Sequence, residues 1–169
     1  LNELRAINSS KKLTRVGRSI VRFPIEPRLA VMLLEASRLE VLNEVLIIVA
    51  GLSIQNPVIS QKYQENHLSF VNQCRHWRSD FISVLNLWTA LTRQRESNSR
   101  SKFVKFCQQN SISYVRFIEW RDLISQLKDA LVSMGYSLEK YQNNEEKIHR
   151  AILSGLVTQI GFLDSQSEY

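Results

Sequence analysis

The run from Ile112 to Met134 constrains the fold more than any other part of the chain. Phe117, Trp120, Ile124, Leu127, Leu131 and Met134 recur at steps of three and four, so on an α-helix they form one apolar stripe. The spacing predicts a helix from about Ser113 to Met134, stopped by Gly135, a residue that readily takes the left-handed conformation after a last helical turn. Arg121, Ser125 and Lys128 fall on a second stripe, and Arg116 and Glu119 stand at i, i+3, within pairing distance on the surface. One side of this helix must be covered by other elements, and another is positive.

The rest of the chain supplies helices able to do the covering. Five glycines and three prolines in 169 residues are few, and the length suffices for one well-packed domain. Thr14 is a plausible N-cap for a short helix closing near Phe23, ahead of Pro24. Leu29, Met32, Leu33, Ala36 and Leu39 mark a helix from Pro27 to about Leu39, with the proline in the first turn, where its missing N–H is no loss. Val45 to Ala50 is apolar all round. A β-strand competes for so short a run of β-branched residues, but Asn43 as N-cap and the helical context favour a central helix from about Asn43 to Leu52. A helix is expected around Asn66 to His76. Ser79 then caps another, whose core stripe is Phe81, Val84, Leu85, Trp88 and Leu91. Phe103, Phe106 and Cys107 give a short helix, and Asn144 to about Ile160 a last one, with Ile148, Ala151, Ile152, Gly155, Leu156 and Ile160 on one face. The expectation is an all-α bundle of about seven helices.

Charge and motif content narrow the function. A net charge of +6 and a pI near 9.5 suit a polyanionic partner. The run Arg93, Arg95, Arg100, Lys102 and Lys105 reads either as a solvated face or as phosphate contacts. No stretch approaches the roughly 18 apolar residues of a membrane span, and no signal peptide is visible, so the expectation is a cytoplasmic protein without membrane contact. Cys74 and Cys107 lack metal-ligand spacing and read as buried thiols. Gly17-Arg18-Ser19 has neither the lysine nor the upstream glycine of a phosphate-cradling loop, and no Asp-Glu pair, G-x-S-x-G or HExxH occurs. His67, His76 and His149 are scattered. Catalytic residues, cofactor and metal are all expected to be absent from this chain.

The order of residues adds what periodicity cannot. The run Tyr114-x-Arg116-x-x-Glu119-Trp120-x-Asp122-x-x-x-Gln126-Leu127 resembles the signature helix of the helicase-associated (HA2, ratchet) region of DEAH-box RNA helicases, and is most similar to the bacterial HrpA type. Leu13, Thr14, Gly17, Arg18, Pro24, Pro27, Arg28, Leu29 and Ala30 resemble the family's pattern at the end of its winged-helix domain. Leu52, Ser53, Gln55 and Pro57 match a junction, and Asp80, Asn86 and Trp88 a further helix. Ile148 to Leu156 is similar to the last helix before an OB-fold. The chain departs from the pattern at Cys74-Arg75, where relatives commonly carry Phe-His.

The resemblance implies three segments: residues 1–24 as the end of a winged helix, 25–160 as the helical ratchet-like domain, and 161–169 as the start of a truncated OB-fold. It also implies a role. The chain would be a non-catalytic wall of the RNA channel in an ATP-driven helicase, while ATP and magnesium are handled by RecA-like domains not present here. Its partners would be single-stranded RNA and the RecA-like, winged-helix and OB domains of the parent. Such a wall needs cations for phosphates and flat groups for bases. The candidates are Arg15, Arg18, Arg75, Arg78, Arg116, Arg121 and Lys128, with Trp77 as the base-stacking ring because it lies outside the core stripes. Trp88 and Trp120 fall on apolar faces and read as core. The alternative is a basic helical module that binds protein without touching RNA, which would hold if these arginines pointed apart or paired with carboxylates.

Overall fold

A computed structural model describes residues 6–8, 10–59, 69–138 and 141–156. Eight α-helices are found among them, with β-pairing limited to two isolated bridges. The all-helical expectation is met. Residues 161–169, assigned above to an OB-fold start, lie outside the described residues, as do Leu1 to Arg5 and the first part of the Asn66–His76 helix.

The chain enters through a short turn in which the Asn8 N–H donates to Lys12 O and Ile7 bridges to Leu13. Thr14 caps α1 (Arg15–Ile20) by accepting from Gly17 N, as expected, but the helix stops at Ile20 rather than near Phe23. Pro27 opens α2 (Pro27–Arg38) at its first position. Next comes α3 (Leu42–Ser53), buried almost throughout, which settles the choice between helix and strand. Its N-cap is Val41, without a side-chain bond, and Asn43 lies inside the helix. The expected asparagine cap is therefore corrected. Glu44 occupies the first turn, where a carboxylate favours the positive end of the peptide dipoles.

The helix α3 is the hub: α2, α5 (Asp80–Glu96), α7 (Tyr114–Ser133) and α8 (Glu145–Leu153) all pack on it. A helix touched from so many sides has no polar face to spare, which is why Leu42 and the run Val45 to Ala50 are apolar without periodicity. Gly51 completes the design. A Cβ there would stand 2.8 Å from Trp120 Cζ2 on α7 and 2.9 Å from Val84 Cγ1 on α5, so only glycine admits both helices this close. Trp120 is buried and donates its Nε1–H to Ile47 O at 2.9 Å. Around it, Trp88 lies 4.9 Å from Trp120 and 5.5 Å from Phe117, and Phe103 of α6 (Arg100–Gln109) meets Phe117 edge-on at 5.0 Å.

The helix α7 begins where the spacing predicts, with Ser113 as its N-cap, and Gly135 follows it with φ +83°, as expected. Phe117, Trp120, Ile124, Leu127 and Leu131 are buried, while Met134 is the half-buried C-cap. Other expectations need amendment. On α5 the buried residues are Ile82, Leu85, Leu87 and Leu91, and Phe81, Val84 and Trp88 are half-buried. This helix is flanked by α3 and α6, so its covered sector is wider than one stripe. The last helix ends at Leu153, not near Ile160. There Gly155 passes so close to α2 that a Cβ would lie 2.4 Å from Arg28 O, an approach that a continued helix with an ordinary side chain could not make.

Cys107 is fully enclosed on α6, and burial pushes its thiol up to about 11 from the ordinary 9.0. In the fold the thiol stays neutral where an unfolded chain would ionise. The resulting stability is complete below pH 9.0 and is lost as the pH rises towards about 11. Urea midpoints at pH 8 and pH 10.5 should therefore fall further for the native sequence than for Cys107→Ala. Equal losses would mean that this thiol has no part in the alkaline transition.

Candidate nucleic-acid interface

Three of the candidate residues lie in one loop, Arg75 to Ser79, between α4 (Ser69–Gln73) and α5. The first turns of α5 hold its backbone. Asn86 Nδ2 donates to Cys74 O at 3.2 Å, the Ser83 hydroxyl accepts from His76 N at 2.8 Å, and the same hydroxyl donates to Ser79 O at 2.9 Å. Ser79 caps α5 by accepting from Ile82 N. On this fixed support Trp77 is 82% exposed, and the Arg78 guanidinium sits 4.9 Å from the centre of its ring. A bare indole on a braced loop contributes little to the fold and is placed to stack on something else.

Trp77 forms part of two clefts. One, about 680 Å³, is walled by His76, Trp77, Arg78 and Ser79 on the loop and by Glu145, Glu146 and His149 on the first turns of α8. His149 joins the two walls. Its Nδ1 lies 2.6 Å from Glu145 O, a pure acceptor, so Nδ1 carries the proton; Nε2, 2.7 Å from Ser79 Oγ, then accepts the serine hydroxyl proton. His76 Nε2 stands 3.5 Å from Glu145 Oε1. The serine–histidine pair, 70 positions apart, has no signal in the sequence. Ser79 is buried and already caps a helix, so the pair serves to tie α8 to α5.

The second cleft includes Asn56, Arg75, Trp77 and Asp80 among its lining residues. Arg116 reaches its rim, donating from Nη1 to Asn56 O at 2.7 Å instead of pairing with Glu119 as expected. The segment containing Asn56 is laid along the start of α7: Ser113 N donates to Pro57 O and Ile59 N to Ser111 O, both at 2.8 Å. Arg75, Trp77 and Arg78 thus share one loop, and Arg116 is bonded to Asn56, which lines the same cleft as Arg75 and Trp77.

The remaining candidates stand elsewhere. Arg121 is paired with Asp122, Nη2 to Oδ1 at 2.8 Å, and lines a separate groove with Arg95, Arg100 and Tyr114. Exposed Arg15 and Arg18 lie on α1, which packs on α2, and Arg18 Nη1 donates to Leu13 O at 3.2 Å. Lys128 is exposed on α7, and neither cleft beside Trp77 is lined by it. Among the described residues no group of three or more His, Cys, Asp or Glu side chains could hold a metal ion, and no helix is long and apolar enough to cross a membrane.

Comparison with known proteins gives a family match over the middle of the chain and relatives that match over nearly all of it. Residues 26–111 match the family described as helicase associated domain (HA2), ratchet-like. The chain is similar to an ATP-dependent RNA helicase HrpA homolog of Haemophilus influenzae, 35% identical over 92% of this chain. It is also similar to the ATP-dependent RNA helicase HrpA of Escherichia coli, 34% identical over 99%. It spans 12% and 13% of the lengths of these two relatives.

Proposed function

Because the chain belongs to the helicase associated domain (HA2), ratchet-like family, we propose that it is the part of an ATP-dependent RNA helicase along which single-stranded RNA is guided. Nucleotide hydrolysis would belong to stretches of the relatives that this chain does not match, and the neighbouring domains of the parent would be its intramolecular partners. The observation that carries the reading is the braced loop with exposed Trp77 between Arg75 and Arg78. Sequence-tolerant RNA binding needs this combination, a π-face for the base and cations for the adjacent phosphates.

Two guanidinium groups on one loop set the expected salt dependence. At about −0.7 in log K per log salt for each neutralised phosphate, Arg75 and Arg78 together give a slope of about −1.4. Affinity for a short oligouridine should therefore fall about sevenfold between roughly 50 and 200 mM salt, read by quenching of tryptophan fluorescence. Binding indifferent to salt would remove the phosphate contacts from the proposal. The ion pair of Arg121 with Asp122 favours a different use for the outer face of α7, namely contact with protein rather than RNA. If the oligonucleotide fails to bind even at the lower salt, that reading extends to the whole chain.

A further inference from the structure

Resting on the RNA reading above, we infer that the cleft between Trp77 and the start of α8 reads the edge of one unstacked base and favours guanine over uracil. At about 680 Å³ the cleft has room for a nucleobase beside the exposed indole. Bases of single-stranded RNA are read in this way, splayed from the strand, stacked on an aromatic ring and hydrogen-bonded along an edge.

The polar groups facing such a base are few, and most already have partners. Both nitrogens of His149 are engaged, one with Glu145 O and the other with Ser79 Oγ. Arg78 is held over the Trp77 ring. His76 Nε2 stands 3.5 Å from Glu145 Oε1, which leaves the carboxylate of Glu146 as the principal charged acceptor of the wall, with Glu145 beside it. A carboxylate accepts two parallel hydrogen bonds, and guanine offers two adjacent donors, N1–H and N2–H. Uracil offers a single N3–H between two carbonyl oxygens, which a carboxylate repels. Cytosine and adenine, with one exocyclic amine each, fall between.

The same two carboxylates orient the strand. They repel phosphate, so the backbone is kept to the other side of the ring, where Arg75 lines the neighbouring cleft. A position in the first turn of a helix accounts by itself for acidic residues at 145 and 146. It does not account for their facing a bare tryptophan across a cleft.

The test compares two pentanucleotides, UUUUU and UUGUU, titrated into the chain at low salt with fluorescence readout. The guanine-containing strand should bind about tenfold tighter. In the Glu145→Gln/Glu146→Gln double variant the two strands should bind within about twofold of each other. Circular dichroism checks that the double variant is folded; should it not be, Glu146→Gln alone, on an exposed side chain, is expected to shrink the preference. Equal affinities in the unaltered chain overturn the inference while leaving the RNA reading intact. A preference that persists without the carboxylates also overturns it. If neither strand binds, the RNA reading fails and this inference with it.

Discussion

Trp120→Ala should lower the free energy of unfolding by about 3–5 kcal/mol, the cost of emptying a large buried aromatic site. Whole domains of this size are stable by only about 5–15 kcal/mol, so the variant should lose a large share of its stability and unfold at a much lower urea concentration. The expected size follows from where the ring sits. Trp120 fills the seam between α7 and α3 that Gly51 opens, packs against Trp88, and donates to a carbonyl in the middle of the hub helix. Alanine would leave a void lined by groups on three helices that cannot all move inward. Trp120→Phe keeps much of the packing and loses one hydrogen bond and part of the ring, so it should cost about 1–2 kcal/mol. Urea unfolding followed by far-ultraviolet circular dichroism measures both. An alanine variant within about 1 kcal/mol of the native sequence would show that the α3–α7 seam is not what holds the bundle.

Trp77, on the loop that leads into α5, should behave in the opposite way. Trp77→Ala should weaken binding of single-stranded RNA about tenfold, as expected for removing one base-stacking ring, and leave unfolding within about 0.5 kcal/mol. The ring is 82% exposed, and no backbone bond of the loop depends on it. Trp77→Phe should recover part of the affinity, because a smaller π-face remains. Wild-type affinity in the alanine variant would remove the stacking platform. Destabilisation by several kcal/mol would show instead that the indole packs within the chain.

These two residues show how far burial is legible in the sequence. Trp120 reads as core because it lies on an apolar stripe with Phe117 and Ile124, and Trp77 as surface because it falls outside the core stripes, between His76 and Arg78. Burial of a helix face is a periodic property, and periodicity is present in sequence. The caps formed by Thr14 and Ser79 are legible for a related reason, since each acts within three residues of itself. Asn43 misled because an asparagine before an apolar run looks like a cap even when the helix begins one residue earlier. The end of α8 was misplaced because Gly155 answers to Arg28 O on a distant helix and not to its own sequence neighbours. The cleft itself could not be read at all. Glu145, Glu146 and His149 reach Trp77 through the packing of α8 on α2 and α3, and no local pattern announces that meeting. Arg116 shows the same limit: Glu119 was the near partner, but the Asn56 carbonyl, 60 positions away, is the one it finds.

Glu44, introduced above as an acidic residue at the start of α3, has a wider consequence. Its fully buried carboxylate accepts from Gln142 N at 2.6 Å and Asn143 N at 3.0 Å, just ahead of α8. The register of α8 is thereby counted from the hub outward, and not from wherever α7 stops. A homologue with more or fewer residues between Tyr136 and Gln142 could accommodate the difference upstream of this clasp and still deliver the acidic turn to the tryptophan. Length variation in that connection and preservation of the cleft are therefore compatible.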